Sequence, residues 1–112
     1  VWINMLPLDS RVAASFLALT MHDPRIRHFY DPRQQVGQAV AQSLGAPGHV
    51  AWDVYLFFPA GSEWDNNPPA PTKWAHQLSA DWADPAHYHW GDDLAEELHK
   101  TMSEFANSAL EA

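Results

Sequence analysis

His87 and His89 are separated by a single residue in the segment Asp84-Pro-Ala-His-Tyr-His-Trp-Gly91. On an extended backbone, residues two apart project to the same side, so both imidazoles can approach one cation. His76 is a third histidine within reach in sequence, and Asp84, Asp92 or Asp93 can add a carboxylate. Three or four such ligands are what zinc takes, so zinc is the cofactor this set would hold. The plainer reading is a pair of half-exposed histidines ahead of a helix. Around them stand Trp64, Trp74, Trp82, Tyr88 and Trp90. These suit the apolar walls of a small-molecule pocket or the anchors of a protein interface. They suit equally the packing of an irregular segment, each indole N–H finding a carbonyl. His49 and Asp53 form one more pairing, since a carboxylate can orient an imidazole as a general base. No nucleophile in a recognisable setting accompanies them. There is no Gly-x-Ser-x-Gly elbow, no phosphate-binding glycine loop and no cysteine. A binding or interaction domain, rather than an enzyme, is the expectation.

Charge narrows the class of partner. The chain carries a net charge of −8, with 14 acidic against 6 basic residues. Residues 1–50 hold four Arg against three Asp, whereas residues 51–112 hold two Lys against eleven acidic residues and five of the six Trp. An acidic, Trp-rich face attracts cations or basic partners and repels the phosphate backbone, so nucleic acid is not an expected partner. With 112 residues, 46% hydrophobic and 18% charged, one domain spanning residues 1–112 with its own core is expected. No apolar run reaches the ~20 residues of a membrane helix, and no basic region with a cleavage site opens the chain. A soluble, cytoplasmic protein without membrane partners is the expectation from those two features.

The elements that must position these residues alternate. Residues 1–6 read as a short apolar strand ended by Pro7. Asp9 or Ser10 can cap a helix over residues 10–21, with Val12, Phe16 and Leu19 beside Ala13, Leu17 and Met21 on its buried stripe. Residues 25–30 form a second candidate strand. Asp31 as cap, Pro32 at the first position and Gln34 in a capping box predict a helix with Val36, Val40 and Leu44 inward, terminated by Gly45. Residues 50–58 are almost continuously apolar, the pattern of a strand covered on both faces. Residues 65–71 are a proline-rich exposed loop, and residues 73–78 fit either a short strand or a helical turn. Asp93 and Glu96 open a final helix with Leu94, Leu98, Phe105 and either Met102 or Thr101 inward.

This order implies an α/β domain, a small mixed sheet with flanking helices. The run Tyr30-Asp-Pro, a helix ending Leu44-Gly45, the strand at 52–58, Pro59-Ala-Gly61 and Leu94-Ala-Glu-Glu-Leu98 resembles the second part of thioredoxin-like proteins. Peroxiredoxins and thiol–disulfide oxidoreductases are the nearest branch, and the resemblance covers roughly residues 26–110. That family's catalytic cysteine pair sits on a strand–helix unit that would precede Val1. Its cis-proline falls where this chain has Val50-Ala51, and its Asp-Gly turn is Ala60-Gly61 here. The resemblance therefore implies a truncated, redox-inactive, cysteine-free remnant without a central strand; the alternative is an unrelated α+β domain. A missing strand leaves an open edge, and a homodimer, joined at that edge or through a helix or Trp surface, is the expected response.

Overall fold

The computed structural model describes the backbone of residues 1–111 and the side chains of residues 1–108. Seven principal elements follow the order β1 (Trp2–Ile3), α1 (Arg11–Ala18), β2 (Tyr30–Asp31), α2 (Gln35–Ser43), β3 (Val54–Phe57), β4 (Lys73–His76) and α3 (Gly91–Glu111). The strands form two separate pairs. β1 lies parallel to β2, Trp2 opposite Tyr30, and β3 lies antiparallel to β4, Val54 opposite His76. Mixed helix and strand content puts the chain in the α/β class, but the small sheet of the sequence reading is two smaller ones.

Local signals set the helix ends. The Ser10 hydroxyl accepts from the Ala13 amide and caps α1, which ends earlier than expected, passing into a 3-10 turn at Leu19–Met21. α2 begins at Gln35, three residues beyond Pro32, because Gln34 adopts a left-handed backbone (φ 59°). The N-cap position is therefore Gln34, not Asp31, which lies in β2; the Asp31 carboxylate nonetheless reaches past the turn to accept from the Gln35 amide at 2.9 Å and the Gly37 amide at 3.1 Å. The Gln34 side chain forms no capping box; it donates to the Asn4 carbonyl at 2.6 Å and ties α2 to the β1 strand. Gly45, at φ 83°, ends α2 as expected.

The core lies where α2 meets β3. Val40, Ala41 and Ala51 are buried there, with Val36, Leu44, Val54, Leu56 and Trp82 packed around them. Gly37 lets the helix approach: a Cβ there would stand 2.5 Å from Val50 Cγ1, 3.1 Å from the Ala51 carbonyl and 3.2 Å from Ile3 Cδ1. Gly37→Ala is expected to cost about 1–3 kcal/mol by overpacking, although alanine favours helix by about 1 kcal/mol. A lower urea midpoint at unchanged slope would register it. α3 covers β4 through buried Leu94 and Thr101 and sets Phe105 against Phe57, ring centroids 5.8 Å apart. Thr101, not Met102, is the inward residue; Met102 is exposed.

Three expectations are corrected. The stripe Val12, Phe16 and Leu19 faces solvent (79%, 70% and 73% exposed), and Ala14 is the only buried residue of α1. The small Ala13–Ala14 side faces Trp2, Ile3 and Tyr30 across a narrow cavity, so the larger side chains of the helix point away. Residues 1–6 shrink to a two-residue strand, and of residues 25–30 only Tyr30 is in one, which Asp31 completes, because a parallel pair with one neighbour each has little to extend it. Residues 50–58 yield a four-residue strand, half-buried throughout, that pairs on one side only.

Candidate functional site

β4 and the irregular segment after it build an aromatic–histidine cluster. Alternation along β4 places Trp74 and His76 on one face. Residues 79–91 then fold back over that face. The Asp84 carboxylate accepts from the Ala86 amide at 2.9 Å and caps a 3-10 turn, Pro85–His87, with Pro85 at its first position. The His87 ring stacks on Trp74, centroids 4.0 Å apart and 12° between planes. Its Nδ1 donates to the Trp74 carbonyl at 2.8 Å, so in the neutral ring the proton sits on Nδ1. The His89 amide donates to the His76 carbonyl at 2.9 Å, which covers the outer edge of β4 beside the bridge between His76 and Tyr88.

His76 is the centre of the cluster and has no solvent exposure. Trp82 lies 5.1 Å, Tyr88 5.6 Å and Trp74 5.7 Å from its ring. The Leu78 amide donates to its Nδ1 at 3.2 Å, which places the proton of the neutral ring on Nε2. That Nε2–H is buried without an acceptor. Burial holds the His76 pKa below the usual histidine value, and positive charge on His87 or His89 pushes it the same way. His76 is therefore a neutral histidine at pH 7, packed among aromatic rings.

The predicted ligands are neighbours, but they do not converge as ligands. His87 lies in a 3-10 turn, so the strand alternation that would align it with His89 does not apply. Each ring engages Nδ1, His76 with the Leu78 amide, His87 with the Trp74 carbonyl and His89 with the Asp93 carboxylate at 2.8 Å, which leaves Nε2 as the nitrogen a ligand would meet. Among the described residues, no group of three or more His, Asp or Glu is arranged to hold a metal ion. No hydrogen bond joins His49 to Asp53. His49 packs edge-on against Trp82 at 6.2 Å, and Asp53 sits exposed in a left-handed conformation (φ 51°) at the start of β3.

Of the five aromatic candidates, Trp74, Trp82 and Tyr88 meet in the cluster, while Trp64 and Trp90 stand outside it, 49% and 67% exposed. Trp64 borders a different feature, a cleft between β1 and β3. One part, about 490 Å³, is lined by Val1, Ile3, Ile26, Trp52, Val54 and Tyr55 among others. An adjoining part of about 190 Å³ opens toward Val36 and Val40 of α2. The sequence reading missed this cleft; its one signal was the absence of a partner strand for the apolar run at 50–58. Among the described residues, no helix is long and apolar enough to cross a membrane.

The chain matches no family model, no curated protein and no solved structure.

Proposed function

We propose that residues 1–112 form a redox-inactive interaction domain of thioredoxin-like type, which associates as a homodimer through the outer face of α1. The observation that carries this reading is the stripe Val12, Phe16 and Leu19, apolar and 70–79% exposed along α1 and the 3-10 turn that continues it; Leu8, ahead of the Ser10 cap, is 91% exposed. The size of the exposed surface supports it. The chain presents 8265 Å², against roughly 6,200 Å² for a compact monomer of 12.6 kDa. The excess is larger than the ~800 Å² that each partner contributes to a standard interface. A helix face pairs with its own copy across a two-fold axis without any other change in the fold.

The thioredoxin-like part of the reading rests on the chain from β2 onward: Asp31 ahead of a helix, a strand, and a closing helix bearing Leu94 and Leu98. Without cysteine, these residues hold no thiol chemistry of their own. The cluster around His76 fits a packing role that fixes the C-terminal half, which leaves Trp64 and Trp90 as the exposed tryptophans of the acidic half. Wild-type protein is expected to sediment as a dimer at tens of micromolar, and Val12→Glu with Phe16→Glu is expected to yield a folded monomer. A wild-type monomer under those conditions would count against the reading.

A further inference from the structure

The cleft between β1 and β3 has main-chain walls as well as apolar ones. In the antiparallel pair, Asp53 and Phe57 accept from the amides of Gln77 and Thr72 on the β4 side. Alternation then turns the N–H and C=O of Val54 and Leu56 to the other edge. On β1, the amides of Trp2 and Asn4 donate to Phe29 and Asp31. The same alternation turns the N–H and C=O of Ile3 away from β2. Ile3, Val54 and Leu56 all line the cleft, and neither β1 nor β3 has a second strand partner among the described residues. Two open edges thus border one space.

We infer that this cleft binds one extended, apolar segment of a partner polypeptide, which enters as a strand and joins the two sheets into one. The inference goes beyond the dimer reading and stands on a different surface. The occupant needs both of its own edges free, because it pairs with β1 on one side and β3 on the other. A folded second copy does not meet that condition, since each of its strands already has a neighbour. The occupant is apolar on both faces. One face meets Val36 and Val40 of α2, and the other meets Met21 and Ile26. Arg27 and Asp53 are the charged residues on the lining, one of each sign, so the cleft selects no net charge. Pairing through the main chain supplies affinity, and the alternating side-chain positions supply selectivity.

The test uses an acetylated and amidated peptide of six alternating valines and isoleucines, flanked by serine–lysine pairs for solubility and carrying a fluorophore. Its control is the same peptide N-methylated at every second residue, which keeps the side chains and removes the amides of one edge. Saturable binding in fluorescence polarisation is expected, weakened about tenfold or more by N-methylation, as loss of one to two hydrogen bonds implies. The bound peptide is expected to slow amide exchange at Ile3, Val54 and Leu56 in particular. Leu56→Pro, which deletes an outward N–H and follows Tyr55 on the extended backbone that proline allows, is expected to weaken the unmodified peptide. Equal binding of both peptides would overturn the inference and show apolar adsorption only. Absent binding with the dimer intact would overturn it and leave the dimer reading standing. Exchange protection at those amides that rises with protein concentration alone would also overturn it, by showing that a second copy fills the cleft.

Discussion

Asp31→Ala is expected to lower the stability of the fold by about 2–4 kcal/mol, the cost of stripping the acceptor from two amides at the start of α2. Asp31 is 4% exposed and accepts from Gln35 and Gly37 at once. The Gly37 amide is buried, so water does not replace the lost oxygen. The carboxylate also faces the positive end of the α2 dipole, adding about 0.3–1 kcal/mol to what is removed. Asp31 is half of β2 as well, where it pairs with Ile3. One residue thus closes the parallel pair and starts the helix that packs on β3. Asp31→Asn keeps one oxygen of the same shape and is expected to recover part of the loss. Chemical denaturation of the three proteins measures the series, and a change below about 1 kcal/mol for Asp31→Ala would remove Asp31 from this role.

His76 is expected to make the fold acid-sensitive. Its pKa is lowered in the folded state, chiefly by burial, so below the usual ~6.5 the unfolded chain binds the proton more readily than the folded one. The stability that His76 contributes is complete above about pH 6.5 and is lost as the pH falls toward its folded value. The slope reaches up to about 1.4 kcal/mol per pH unit. His76→Leu removes the titrating ring and the orphaned Nε2–H. It is expected to cost about 1–3 kcal/mol at pH 8, where the Leu78 amide loses its acceptor, and to flatten the decline between pH 6.5 and 5. Urea midpoints of both proteins across that range decide the matter. Parallel curves would assign the acid sensitivity to other groups.

What the residues announced in advance was whatever one turn of chain decides. Ser10 caps α1, Gly45 ends α2, and Leu94, Leu98 and Phe105 line the inner side of α3, all from spacing and side-chain chemistry alone. The orientation of α1 was not legible. Val12, Phe16 and Leu19 make a good stripe at helical period, but the period says only that one side is apolar, not that the chain holds a surface to meet it. The strand lengths failed for a related reason. Residues 50–58 are apolar enough for a central strand, yet a strand grows along its neighbours, and β3 has one. At the candidate site, the density of aromatics near residue 80 was visible, and their convergence on His76 was not. That convergence depends on Asp84 and the left-handed Ala83 bending the segment back over β4. The ligand reading of His87 and His89 assumed an extended backbone that Pro85 and the Asp84 cap replace with a turn.

The split of the strands into two pairs also governs how cooperatively the molecule comes apart. Two residue pairs hold β1 to β2, and four hold β3 to β4. The first pair sits beneath a helix with one buried residue, whereas the second lies between α2 and α3. Local opening free energy follows buried contact, so the residues ahead of β2 form a low-stability unit that loosens while the remainder stays closed. A single melting temperature would then describe the C-terminal three-quarters of the chain. The N-terminal segment would melt ahead of it, held in place by the Gln34 bond to Asn4 and by whatever binds its exposed face.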